Sequence, residues 1–164
     1  MITLDNGHFH PTEQVGDKIS SILHFVDEIL LHLTRGVRWD SDHVVTFNDE
    51  LLLITQEIVR CNALKRVNIG LDFFDASLNR IGAYVIGTRA AQLAFLYALL
   101  EPHKTLVKFE EEGKTFERLA FLELLKSKPF GAVYDYYCLK SKVPVGKAYI
   151  DDIVKYEKEV LLKR

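Results

Sequence analysis

Ile29-Leu-Leu-His-Leu33 is the stretch on which the reading of this chain turns. It is a short apolar run with one imidazole, too brief for a helix and bounded by charged and polar residues, as a buried strand would be. Two further runs have the same character: Ile2 to Asp5 and Val67 to Asp72. Longer amphipathic segments separate them. Between Glu13 and Asp27 the apolar residues Val15, Ile19, Ile22, Leu23 and Val26 fall at helical spacing, and Asn48, followed by Asp49 and Glu50, offers a helix start for Leu51 to Leu64. Strands alternating with helices predict parallel pairing and an α/β fold. Beyond Asp72 the pattern turns almost wholly helical: Leu78 to Leu100, a segment from Leu106 to Lys126 interrupted at Gly113, Val133 to Leu139, and Tyr149 to Leu162.

Three parallel strands do not make a complete α/β fold of a familiar closed kind. Ile2 follows the first residue directly, with no preceding helix to cover it, so the chain is expected to be one incomplete domain, residues 1–164, cut just before a strand. No internal repeat, low-complexity tract or flexible linker divides it. A hydrophobic share of 48% with 27% charged residues is ordinary for a globular core, and a formal net charge of −2 without a basic block leaves little to attract nucleic acid. No run of uncharged apolar residues reaches membrane-span length and no signal peptide opens the chain, so the expected location is the cytoplasm, with no membrane partner. Cys61 and Cys138 lack metal-ligand spacing and are expected to be buried filler.

Parallel α/β proteins gather reactive groups at the carboxyl ends of their strands. Each predicted strand ends, or nearly ends, in a metal-type ligand: Asp5, His32 and Asp72. His8 follows in the turn Asp5-Asn-Gly-His8, and Asp40 and Asp42 follow in Arg38-Trp-Asp-Ser-Asp-His43. Singly, each has an ordinary explanation: a turn or cap for Asp5 and Asp72, a core imidazole for His32, a solvated loop for Asp40 and Asp42. Together they are four carboxylates and two imidazoles that would repel or be desolvated on one face unless a divalent cation neutralised them. The set suffices for two ions. Oxygen ligands with some nitrogen favour Mn²⁺, Co²⁺, Zn²⁺ or Mg²⁺, and two such ions serve hydrolysis, proton transfer or a hydride shift.

Leu4-Asp-Asn-Gly-His-Phe-His-Pro-Thr-Glu13, Val37-Arg-Trp-Asp-Ser-Asp-His-Val44 and the segment Ile69 to Arg89, with Gly70-Leu-Asp-Phe-Phe-Asp-Ala-Ser-Leu-Asn-Arg-Ile81, resemble characteristic segments of the L-rhamnose isomerase family. So do Ala98-Leu-Leu-Glu-Pro102 and Tyr156-Glu-Lys-Glu159, so the resemblance runs through essentially the whole chain. It implies a partial (β/α)8 TIM-type barrel, its last three strands within about residues 1–100, followed by a helical extension over about 101–164. It implies that Asp5, His32 and Asp72 bind the metal usually called structural. His8, Asp40 and Asp42 would bind the catalytic one, with Asp5 in reach of both. The sugar would meet His8, His32 and Asp72. The implied cofactor is Mn²⁺, with Zn²⁺ or Co²⁺ as alternatives, and the implied reaction is the aldose–ketose interconversion of L-rhamnose and L-rhamnulose. The family also uses a glutamate on an earlier strand and pocket residues from its N-terminal part. None has a counterpart here, so the implied partners are the missing part of the barrel and, as in the family's tetramer, further copies. His10, Trp39, His43 and Phe73 are candidates for lining the pocket, whereas Lys65, Arg80 and Arg89 read as ion-pairing residues. Two other readings compete: a non-catalytic fragment or sugar-binding or assembly module that keeps the local fold, and a self-contained metal-dependent hydrolase.

Overall fold

The computed structural model describes residues 1–38, 40–75 and 77–164; Trp39 therefore lies outside the described residues. Strands β1 (Ile2–Asp5), β2 (Ile29–Leu33) and β3 (Val67–Leu71) form one parallel sheet in the order β1-β2-β3. The register pairs Asp5 with His32 and His32 with Gly70, so a single cross-strand row carries the two ligand-type side chains. Alternation along each strand divides the sheet into two faces. Leu4, Ile29, Leu31, Leu33 and Val67 are buried, whereas Thr3, Asp5, Leu30, His32, Asn68 and Gly70 point to the other side and stay partly or fully exposed.

Helices α1 (Gly16–Ile22), α2 (Asp49–Arg60) and α3 (Arg80–Leu100) supply the other half of the core: Val15, Ile19, Ile54, Ile58 and Ala94 close over the buried face of the sheet. α2 begins as its sequence predicts, with Asn48 Oδ1 accepting the Leu51 amide at 3.0 Å. It ends earlier than expected, at Arg60. Asn62 turns left-handed (φ 57°) and the Ala63 amide bonds back to Ile58 O at 2.9 Å, a Schellman closure. α1 is also shorter than the amphipathic run that predicted it. The guanidinium of Arg66 draws off the carbonyls of Leu23, Val26 and Asp27 at 2.8–2.9 Å, which gives this stretch partners outside a helix. β3 stops at Leu71, one residue before the predicted end, although the Asp72 amide still bonds to Leu33 O at 3.0 Å.

α3 is 21 residues long and, by length and composition alone, long and apolar enough to cross a membrane, which the sequence reading did not anticipate. Its Ala83, Ala90, Ala91, Ala94 and Ala98 are buried, and Ala94 O accepts the Thr55 hydroxyl of α2 at 3.2 Å, the close backbone approach of a core helix pair. At its end the buried Glu101 carboxylate receives Arg60 Nε (2.6 Å), Arg60 Nη2 (2.7 Å) and Gln56 Nε2 (2.6 Å). Beyond it stand α4 (His103–Glu111), α5 (Thr115–Lys126), α6 (Phe130–Lys140) and α7 (Ala148–Glu159). The break expected at Gly113 is real: this glycine adopts φ 68° and lets the Lys114 amide return to Phe109 O at 2.7 Å. Cys138 is buried as expected. Cys61 is not: it stands exposed just past the end of α2, where the chain has already turned from the core.

Candidate metal centre

β1 and β2 bring Asp5 and His32 side by side, and β3 delivers Asp72 one residue past its end. His32 Nδ1 lies 3.2 Å from Asp5 Oδ2 and 3.0 Å from Asp72 Oδ2, and the three side chains offer ligand atoms all within 4.8 Å of one another. Gly70 lies directly beside the ring. A Cβ there would stand 3.4 Å from His32 Cδ2, in van der Waals contact with the ring, so the row is closely packed at this point. Asp5 is fixed at its other oxygen as well, for Oδ1 accepts the Gly7 amide at 2.9 Å and caps the 3₁₀ turn Asn6–His8.

The second expected group is more open. His8 Nε2 lies 3.4 Å from Asp40 Oδ1, and both side chains are well exposed. Asp40 itself has a left-handed backbone (φ 51°), a conformation that Asp tolerates better than most residues and that turns its side chain out of the loop. Asp42 points the opposite way. Its Oδ1 is buried without a hydrogen-bond partner, directly beneath Gly7, where any Cβ would collide with it. Burial pushes the Asp42 carboxyl above its ordinary range; Asp5, Asp72 and Asp40 push it the same way, and only His8 opposes them. These five groups therefore share one electrostatic neighbourhood, which His32 joins through its contacts with Asp5 and Asp72. Among the described residues, Asp5, His32 and Asp72 are the one group whose ligand atoms are mutually close; His8, Asp40 and Asp42 do not form a second.

The donor set fits a divalent cation. His32 Nδ1 lies 3.0–3.2 Å from an oxygen of each carboxylate, the distance of a hydrogen bond and also that between adjacent positions around an ion with bonds of about 2.1 Å. A buried carboxylate oxygen with no proton donor, in the field of three other carboxylates, is a position that a cation would relieve.

Several residues that carry this geometry stand apart from the predicted ligands. The Asn6 side chain, buried between the two strand ends, donates to Thr34 O at 2.8 Å and accepts the Thr34 amide at 2.7 Å. Glu50 lines the same small cavity as Asn6, and burial raises its carboxyl above the ordinary range while Asn6 pulls it down. Thr34 Oγ1 and the Arg35 amide both donate to His43 O, at 3.1 and 2.9 Å. Ser41, buried, accepts the amides of Val37 and Arg38 at 3.0 Å and donates to Arg38 O at 2.8 Å, so the residue between the two aspartates is the knot of their loop. His43 Nδ1 faces Asp75 Oδ2 at 3.8 Å, and Asp75 in turn accepts from Ser77. Phe73 is buried and stacks on Tyr84 with ring centroids 4.9 Å apart, which makes it packing first. His10 is exposed and bonds to Thr12 Oγ1 at 2.7 Å. Arg89 pairs with Asp135 at 3.9 Å and lies over the rings of Tyr134 and Tyr149, in keeping with its reading as an ion-pairing residue. That cluster borders a cleft of about 580 Å³ between α3 and α6 that shares no residue with the ligand group. A smaller one, about 270 Å³, is lined by Phe73, Phe74, Asp75 and Arg80 and adjoins the end of β3.

Comparison with known proteins agrees with the sequence resemblance. The family model described as L-rhamnose isomerase (RhaA) matches residues 1–164. Among relatives, the L-rhamnose isomerase of Bacteroides thetaiotaomicron is 58% identical over 164 residues, all of this chain and 39% of that protein. Those of Rhodopirellula baltica (55% identical, 100% of this chain, 38% of the relative) and Mannheimia succiniciproducens (54%, 99% and 39%) are similar to the same extent. The chain thus spans about two-fifths of the length of the relatives it matches. It belongs to the L-rhamnose isomerase family.

Proposed function

We propose that this chain is the part of an L-rhamnose isomerase that holds most of its divalent-metal ligands, and that it serves aldose–ketose isomerisation once joined to the rest of the enzyme. The observation that carries the reading is the convergence of Asp5, His32 and Asp72, far apart in sequence, onto ligand atoms within 4.8 Å. The parallel order β1-β2-β3, with helices on one face and polar side chains on the other, supports reading the sheet as the last three strands of a (β/α)8 barrel. On that reading residues to about 100 complete the barrel and those beyond form its helical extension.

Asp5, His32 and Asp72 would hold one ion and His8, Asp40 and Asp42 the other, with Mn²⁺ the first candidate and Zn²⁺ or Co²⁺ next. Ions bound there would polarise sugar oxygens and offset negative charge as it develops. The chain's own residues have separate tasks. His32 and Asp72 meet the sugar from the strand ends, while Asp5, clamped by the Gly7 amide, keeps His32 in place. Exposed His8, next to Asp40, belongs among the residues that would hold the second ion, and the isomerisation moves hydrogen between C2 and C1 while the hydroxyl proton passes between the two sugar oxygens. The proposal also includes a cytoplasmic location and a homo-oligomeric complete enzyme.

Co-expressing this chain with the upstream portion of a relative, then assaying conversion of L-rhamnose to the ketose with added Mn²⁺, tests the reading. Activity that vanishes in Asp72→Asn supports it; a folded, Mn²⁺-loaded assembly without activity overturns it. The share of the relatives' length that is covered, 39%, favours one second reading, a non-catalytic sugar-binding or assembly module. Such a module need bind no ion tightly.

A further inference from the structure

The end of β1 and the end of β2 are not joined by the sheet ladder alone. Past Asp5 the chain leaves the strand for its 3₁₀ turn, and the pairing with β2 is continued by one side chain. Asn6 is 5% exposed and takes both the amide and the carbonyl of Thr34, at 2.7 and 2.8 Å, as a neighbouring strand would. Beside it Glu50, in the first turn of α2, lines the same small cavity. From Thr34 the connection runs on, because Thr34 Oγ1 and the Arg35 amide grip His43 O, while Thr34 Cγ2 packs against Gly7. Asn6 thus stands where four pieces meet: the turn carrying Asp5 and His8, the strand end carrying His32, the loop carrying Asp40 and Asp42, and the start of α2.

The geometry points to Asn6 as a positioning residue that holds the two ligand groups at a fixed spacing, by substituting its amide for the missing ladder between β1 and β2. Asn6 touches no sugar in this account, and it acts through Asp5, His8 and Thr34. Its role in metal binding rests on the function proposed above; its role in joining the two strand ends does not.

Amide hydrogen exchange on the metal-free chain, wild type against Asn6→Ala and Asn6→Asp, reads the mechanical claim. Asn6→Asp keeps an acceptor for the Thr34 amide but turns an oxygen toward Thr34 O and Glu50. In both variants exchange at Thr34, Arg35 and Gly7 should rise by about tenfold or more, while the β2–β3 ladder at Leu31 and Ile69 keeps its protection. Arg35 and Gly7 are the decisive sites, since neither bonds to Asn6. A rise at Thr34 alone, or at none of the three, overturns the proposal. If Asn6→Ala fails to fold by circular dichroism, Asn6→Asp decides by the same amides. Titration with Mn²⁺ then reads the consequence: affinity should fall by about 10–100-fold in Asn6→Ala, as for other outer partners of ligating side chains. Unaltered Mn²⁺ affinity would overturn the link to the ligands. A wild-type chain that takes up no Mn²⁺ would instead sink the metal reading, and the exchange result would still decide the place of Asn6.

Discussion

His32 lies with one ring nitrogen between two carboxylates from different strands, 3.2 Å from Asp5 and 3.0 Å from Asp72. Removing the ring breaks the group at its middle, so His32→Ala should reduce Mn²⁺ affinity by more than about 100-fold, beyond what outer partners cost. Isothermal titration checks this, and an unchanged binding isotherm contradicts it. Gly7 offers a second test, one of packing. A Cβ at this position meets Asp42 Oδ1 and lies 2.8 Å from Thr34 Cγ2, so Gly7→Ala should destabilise the fold by about 1–3 kcal/mol in urea unfolding. Equal midpoints for the two proteins would show that the turn has slack. The clustering of Asp5, His32 and Asp72 was legible in the sequence because metal-type residues stand at the ends of apolar runs, a local pattern. Asn6, Thr34, Ser41 and Asp75 were not. Their roles depend on which loop folds against which, and an Asn between Asp and Gly reads equally well as a turn residue.

At the scale of elements, α2 and α3 are pinned by the buried Glu101 carboxylate and its three nitrogen donors. Glu101→Ala would leave the half-buried Arg60 guanidinium and the Gln56 amide without their shared partner, a loss of about 2–4 kcal/mol. Glu101→Gln keeps the shape and part of the bonding and should cost about 1–3 kcal/mol. Chemical denaturation of both variants orders them, and equal midpoints would contradict the claim that charge pairing matters here. The strands and the helix start at Asn48 were readable from periodicity and capping, because both signals are local. The stops were harder. α2 ends at Arg60, about one turn short of its apolar run, where a left-handed Asn62 that resembles any other asparagine in a sequence turns the chain, and α1 is cut short by Arg66, which lies 43 residues beyond Leu23. The apolar length of α3 likewise conceals its role, since an alanine stripe against a neighbouring helix and a membrane-facing surface share the same composition.

For the whole molecule the deciding feature is a sheet with helices on one face only. Thr3 and Asn68 are exposed on the other, and β1 and β3 are both open edges among the described residues. Open edges pair with whatever is near. The chain alone should therefore associate as its concentration rises, with light scattering above the monomer value, and should become more monodisperse when the upstream portion of a relative is supplied. A monomer unchanged across the whole concentration range would contradict this. The three-stranded sheet was legible in the sequence from three strand-like runs, while the (β/α)8 barrel proposed around it rests on the family resemblance. The most direct test is anomalous diffraction at the manganese edge from crystals of the chain grown with Mn²⁺. The account predicts a peak within bonding distance of Asp5, His32 and Asp72 together. Well-ordered side chains at these three positions with no peak between them would contradict it.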